Sequence, residues 1–320
     1  MTDQRWMFER GTLARDGWET VVGSDLPGWK HTGLRVATLA GGASLALEAN
    51  AEASVERLIV PLAGSFTVLV TEPSGTSSFT LNGRTSVFDG PTDVLYVGTE
   101  ASVSVQGVRG AGRFAVAEAP ASTSYPTTYV QAQDVAVELR GAGRSSRQVH
   151  NFGTPANLAA DRFIVCEVVT PAENWSSFPA HKHDESITGV ESSLEEIYYF
   201  ESEVSRGVDA PAEAKPFGMF STYSSPAGAI DINAQVRTGD VALVPFGYHG
   251  PAVAAPGYDL YYLNVMAGPD PERVWNITDD PAHGWIRTTW EGQAVDPRLP
   301  YLPNSAATQP ASSSTEGAHS

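Results

Sequence analysis

Apolar residues alternate with polar ones in short runs along most of the chain, and Gly or Pro ends each run. Leu34 and Val36, then Leu45 and Leu47, stand in phase on either side of Gly41-Gly42, which predicts strand over 34–49 with a turn in its middle. Residues 55–70 and 86–108 are rich in Val, Leu and Thr and continue the pattern. A polar bridge follows over 124–150, with Gly141-Ala142-Gly143-Arg144 near its end. A second series of strands is then expected at 163–170, 195–201, 218–221, 230–235, 240–245 and 258–265. No helical period separates these runs, so the fold class is all-β, arranged as barrels or sandwiches. From Asn304 the chain is a low-complexity Ala/Ser/Thr/Pro tail, expected to be disordered over 304–320.

The two series look like one pattern used twice. Asp240-Val241-Ala242-Leu243-Val244-Pro245 parallels Asp93-Val94-Leu95-Tyr96-Val97-Gly98, and Glu195-Glu196-Ile197-Tyr198-Tyr199-Phe200 parallels Glu56-Arg57-Leu58-Ile59-Val60-Pro61. A repeat of roughly 140 residues is a duplicated domain and not a solenoid period. The expected division is 1–135 and 136–303, with 304–320 outside both.

Composition supports this reading. Hydrophobic residues make up 42% of the 320, enough for a core in each half, while charged residues are 18% and Gly and Pro number 30 and 22. With 37 acidic and 20 basic residues the formal net charge is −17. Such a surface repels phosphate backbones and anionic lipids, which argues against nucleic acid and membrane partners. An anionic substrate would therefore need local cations or a metal. The single cysteine, Cys166, lies in an apolar run and reads as a small buried hydrophobe. Residues 1–11 lack the apolar core of a signal peptide, and no run approaches about 18 apolar residues, so the expected compartment is the cytoplasm.

The informative chemistry is His181-Lys182-His183. On a strand alternate residues share a face, so the two imidazoles point the same way with Cα atoms ~6.5–7 Å apart, while Lys182 points outward. Alone this is a short motif that seven histidines produce easily. Its company is more telling. Glu195-Glu196 opens an aromatic strand, where an unpaired carboxylate would be costly and a metal ion would compensate it. His249 follows the tight turn Pro245-Phe246-Gly247-Tyr248. Histidines plus one carboxylate leave positions open on an ion, the pattern of a catalytic site.

This arrangement resembles cupins, which place His-x-His, a Glu and a third His after a Pro-x-Gly turn around one metal in a small barrel. More specifically, the stretch 161–167, Phe178-Pro179-Ala180-His181-Lys182-His183-Asp184, Leu194-Glu195-Glu196-Ile197-Tyr198-Tyr199 and Tyr258-Asp259-Leu260-Tyr261-Tyr262-Leu263-Asn264-Val265 resemble the 5-deoxy-glucuronate isomerase family. These are bicupins of inositol catabolism, related to the uronate isomerases of the pectin pathway. The resemblance spans about 30–300 and is densest from 160 to 270. It implies two cupin-like barrels in tandem, with a metal in the second only, held by His181, His183, Glu196 and His249. Glu195 and Glu196 remain alternatives, since alternation puts only one of them inside. Two departures from the cupin pattern stand out: the long gap between His183 and the glutamate, and a Pro-Gly turn one residue shorter. In the first half Ala51, Ala53, Arg57 and Ser102 occupy the ligand positions, so that barrel is expected to be metal-free.

The resemblance further implies an aldose–ketose isomerisation of a small uronate through a metal-stabilised enediolate, with one divalent ion, zinc first and manganese or iron as alternatives. Glu195, Tyr198 and Tyr262 are the candidate proton carriers, with Asp184 beside them. Arg162 and Arg206 are candidates for the substrate carboxylate. His150 and His283 read as turn or surface residues, and Trp175, Tyr258 and Tyr261 as packing. A cupin Fe(II) oxygenase and a non-catalytic sugar-binding bicupin share the same ligand pattern. Exposed edge strands point to a homo-oligomer.

Overall fold

The computed structural model describes residues 4–49 and 54–302. Ala51, Ala53 and the tail 304–320 lie outside the described residues. Two β barrels follow one another along the chain, and the described helical turns are short 3-10 segments, of which Gly284–Trp290 is the longest. Among the described residues no helix is long and apolar enough to cross a membrane.

The same four-strand order occurs in both halves. In the first, Val94–Val97, Val55–Glu72, Ala111–Pro120 and Gly33–Ala40 lie side by side; in the second, Val241–Val244, Glu195–Val204, Tyr258–Ala267 and Ile164–Thr170 do. These are the strands that carry the sequence repeat. The turn at Gly41-Gly42 does not make a hairpin: Gly33–Ala40 pairs with Ala111–Pro120, whereas Ser44–Leu47 crosses to pair with Ser102–Gly107. The stretch 124–150 is likewise more than a bridge. It contributes Ala136–Arg140 and Arg147–Asn151 to the second sheet, the first a largely exposed edge strand and the second hidden in the sequence because polar residues fill its buried positions. At the other edge Met7–Phe8, from the start of the chain, pairs with Val241–Val244.

The two four-strand faces pack on each other, so their central strands are apolar on both sides. Along Val55–Glu72 the period of two divides the burden. Ile59 packs inside the first barrel with Phe66, Val68, Leu95 and Val116, while Leu58 and Val60 join the contact with the second barrel. Along Glu195–Val204, Tyr198 and Phe200 turn inward to Phe220 and Tyr262. Tyr199 turns outward with Glu201, which Arg113 of the first barrel pairs.

A reciprocal pair of carboxylates fastens the faces. Glu56 accepts the backbone N–H groups of Asp161, Arg162 and Phe163 at 2.7–2.9 Å and the hydroxyl of Tyr96. Its repeat counterpart Glu195 accepts those of Lys30, His31 and Thr32, with the Thr32 hydroxyl. Each clamped segment leads directly into a strand of the opposite barrel, Ile164–Thr170 or Gly33–Ala40. Between them Glu167 is fully buried and takes both Arg84 nitrogens at 2.6 Å, His150 Nδ1 at 2.5 Å and the Tyr261 hydroxyl at 2.7 Å. His150 is thus a buried strand residue and not the turn or surface residue expected, because an ionised glutamate needs it there. Cys166 is buried as expected, and burial pushes its thiol up to about 12. Glu56→Ala strands three N–H donors at the seam, that of Phe163 fully buried, and is expected to lower the unfolding free energy by about 2–4 kcal/mol, measured by urea denaturation.

Candidate metal centre

The second barrel closes with a sheet in the order Gly228–Val236, Gly218–Ser225, Tyr248–Ala254, His181–Lys182, Thr278–Asp279. His181 and His249 are direct cross-strand partners on this sheet, and Glu196 faces them from the other. His183 Nε2 lies 3.0 Å and His249 Nε2 3.1 Å from the same Glu196 oxygen, Oε2. These three residues offer ligand atoms within 4.8 Å of one another. His181 stands one step further out, its ring 4.6 Å from that of His249 and 6.3 Å from that of His183. All four side chains are buried.

The backbone fixes how each ring is presented. Nδ1 of His181 meets the Pro179 carbonyl at 3.1 Å, that of His183 the Leu194 carbonyl at 2.9 Å, and that of His249 the Gly247 carbonyl at 3.2 Å. A carbonyl only accepts, so each Nδ1 carries a proton and Nε2 is the nitrogen turned toward the centre. Two ring nitrogens at one carboxylate oxygen call for positive charge between them, as a ring proton or a bound cation. His249 Nε2 is buried, and its approach to Glu196 is too oblique for a hydrogen bond, leaving it without a hydrogen-bond partner among the described residues. These are the donors a divalent cation fits. Burial would raise the Glu196 carboxyl, but the neighbouring His183 and His249 outweigh it and hold it at about 2. Burial and the adjacent imidazoles push His181 well below its ordinary value, keeping it neutral, the form that ligates.

The loop geometry accounts for the unusual spacings. The long gap after His183 is a hairpin, Asp184–Ile187 with Glu191–Ser193, gathered around Lys182. Contrary to the outward orientation expected, Lys182 is buried and its Nζ meets Asp184, Glu185 and Glu191 at 2.6–2.8 Å. Asp184 also accepts the Gly247 N–H at 2.8 Å, bracing the turn whose carbonyl orients His249. Gly247 has φ +95°, and a Cβ there would lie 2.5 Å from Ile230, so the short Pro-Phe-Gly turn admits only glycine.

A cavity of about 220 Å³ opens beside His181 and Glu196. Tyr198 and Tyr262 line it, as does Ser177, whose Oγ lies 3.3 and 3.1 Å from their hydroxyls. Burial pushes Tyr262 up to about 12 and Tyr198 well above its ordinary value, so both phenols stay protonated near neutrality. Other expectations fail on geometry. Glu195 points away, into its clamp on Lys30, His31 and Thr32. Arg162 is held by Asp161 and the Asp270 carbonyl, and Arg206 by Asp89 and the Phe88 and Leu302 carbonyls, outside the cavity. His283 precedes the segment Gly284–Trp290 and is exposed, as expected, and Tyr261 belongs to the Glu167 network. Sequence reasoning missed Arg140, Arg147, Asn264, Trp275 and Arg287 on the cavity wall. No local motif marks them; a helpful signal would have been two arginines on polar strands entering an acidic protein.

Residues 7–286 match the profile of the KduI/IolB family. The chain belongs to that family. Within it, a 5-deoxy-glucuronate isomerase from Geobacillus kaustophilus is 37% identical over 279 residues, 87% of this chain and 91% of that protein. Its namesake from Bacillus subtilis strain 168 is 36% identical over 83% and 90% of the two chains. Among solved structures, an IolB-like protein from Salmonella typhimurium LT2 aligns with TM-score 0.76 at 33% identity, covering 88% of this chain and 98% of that one. A Bacillus subtilis oxalate decarboxylase, with TM-score 0.58 at 10% identity over 87% and 80%, shares the fold alone.

Two variants separate the adjacent roles in this KduI/IolB site. His183→Ala is expected to purify without bound divalent ion, whereas Glu195→Ala keeps it and loses stability instead, read by elemental analysis and thermal unfolding.

Proposed function

We propose that the protein is an aldose–ketose isomerase converting 5-deoxy-glucuronate to 5-dehydro-2-deoxy-gluconate in myo-inositol catabolism. The observation that carries this reading is the convergence of imidazole Nε2 atoms on Glu196 at the edge of a small cavity that also holds two phenols and a serine hydroxyl. Relatives of similar length that bear this isomerase's name support the choice of substrate. At about 220 Å³ the cavity is smaller than the ~300–1,000 Å³ of drug-sized sites and suits a compact metabolite.

The chemical difficulty is a proton on the carbon beside a carbonyl, whose removal leaves an enediolate. We assign His181, His183, Glu196 and His249 to hold one divalent ion. Zinc is the first choice for three imidazoles and a carboxylate, and manganese and iron accept the same donors. When bound, that ion supplies Lewis acidity toward the oxygens on the two reacting carbons. Tyr198 and Tyr262, kept protonated by burial, donate to those oxygens where negative charge grows. Ser177 links the two hydroxyls, so the proton one phenol gives to the carbonyl oxygen is recovered from the neighbouring substrate hydroxyl through the other. The carbon-bound proton passes to the adjacent carbon, and both phenols end as they began. Glu195, buried in its clamp, takes no part.

The same reading places the enzyme in the cytoplasm as a homo-oligomer. Trp175, Val253 and Met219 lie in cross-strand register on one sheet, with Trp175 and Met219 exposed, an apolar row suited to a second copy.

The purified protein is expected to carry about one divalent ion per chain, and chelation to abolish ketone formation from 5-deoxy-glucuronate until the ion is restored. Oxygen uptake during turnover would point to an oxygenase instead. Tyr262→Phe should keep the ion and lower kcat roughly 10²-fold with little change in KM. Full turnover after complete removal of metal overturns the assignment.

A further inference from the structure

The cavity has a second pole, opposite in character to the first. Arg147 and Arg140 are direct cross-strand partners on adjacent strands, and Arg287 enters from Gly284–Trp290. Like charges placed opposite one another destabilise a sheet, so packing gives no reason for this pairing. Two of the three are compensated: Arg140 meets Glu138 at 2.8 Å, and Arg287 meets Asp279. Arg147 is not. It is only 9% exposed, its Nη1 donates to the Ser145 carbonyl at 3.0 Å, and among the described residues no carboxylate pairs with it. Burial first, and then the neighbouring charges of Arg140 and Arg287, lower its guanidinium to about 10.

A second unpaired donor belongs to the same wall. The indole nitrogen of Trp275, which lines the cavity, is buried without a hydrogen-bond partner, and the Arg140 guanidinium lies 5.1 Å from the centre of its ring. The one acid lining the cavity, Glu196, is already taken by His183 and His249. A buried cation without a carboxylate partner and a buried N–H without an acceptor are thus held on one wall, inside a protein of net charge −17. Such an arrangement is unfavourable in the free protein and is relieved when an anion enters.

We propose that Arg147, together with the Trp275 indole N–H, receives the carboxylate of the sugar acid, with Arg140 and Arg287, each already paired with an acid, lining the same wall. This rests on the reading of the site as a uronate isomerase. A six-carbon acid bound at this pole by its carboxylate directs its far end, the carbonyl end, toward Glu196 and the phenols. Arg147 is a binding and positioning residue, separate from the group that holds the ion.

The test is calorimetric binding to the metal-loaded protein, with D-glucuronate as the charged probe and D-glucose as its uncharged counterpart. Wild type is expected to prefer glucuronate at least ~10-fold, and Arg147→Met to lose about 10–100-fold in glucuronate affinity while keeping its ion. Arg147→Lys should recover part of the loss. Thermal unfolding of unliganded Arg147→Met should rise, since an unpaired buried charge is removed, whereas a purely structural arginine would lower it. Equal affinity of wild type for the two sugars, binding of neither, or unchanged glucuronate binding in Arg147→Met overturns the proposal. The two readings fail separately. Turnover of 5-deoxy-glucuronate with unchanged KM in Arg147→Met removes the receptor and leaves the isomerase. Arg147-dependent glucuronate binding without any turnover in wild type removes the isomerase and leaves the receptor.

Discussion

Glu196 is enclosed on a strand whose neighbours are apolar, and a carboxylate in such a place stays ionised only if positive charge is brought to it. Much of the second barrel is arranged around that requirement. The imidazoles of His183 and His249 approach one oxygen, three backbone carbonyls hold the Nδ1 protons outward, and a hairpin and a glycine turn fix where those carbonyls lie. Lys182 and Asp184 do not touch the centre, yet both set the loops that aim it.

Much of this was legible in the chain. The repeat of Glu56-Arg57 in Glu195-Glu196 located the equivalent strands, and period-two alternation correctly allowed only one of the two glutamates to face inward. The His-x-His pair and the Pro-Phe-Gly turn announced three side chains of the centre because strand and turn geometry are local. What stayed hidden depends on long-range contact. Lys182 alternates away from the histidines, but the far side of its strand is covered by acids rather than by water. Arg147 and His150 sit on a strand too polar to read as buried, and only the approach of Glu167 and the cavity wall explains those polar positions.

The first barrel shows what the same position becomes without the histidines. Arg57, the counterpart of Glu196, faces the interior, pairs with Glu118 at 3.1 Å and reaches the Ala101 and Glu48 carbonyls. A guanidinium with its own fixed acceptors fills with covalently attached charge the place where the other barrel gathers ligands. Arg35 shares Glu118 from the neighbouring strand.

The paired clamps at Glu56 and Glu195 bear on the history of the molecule. Each half lends a glutamate to shape the entry of a strand in the other, so neither is self-sufficient and the two depend on one another. The half without the ligand histidines cannot be pruned, because Thr32 and the residues around it belong to the architecture of its neighbour. Two acids outside the cavity thus tie the fate of each barrel to the other.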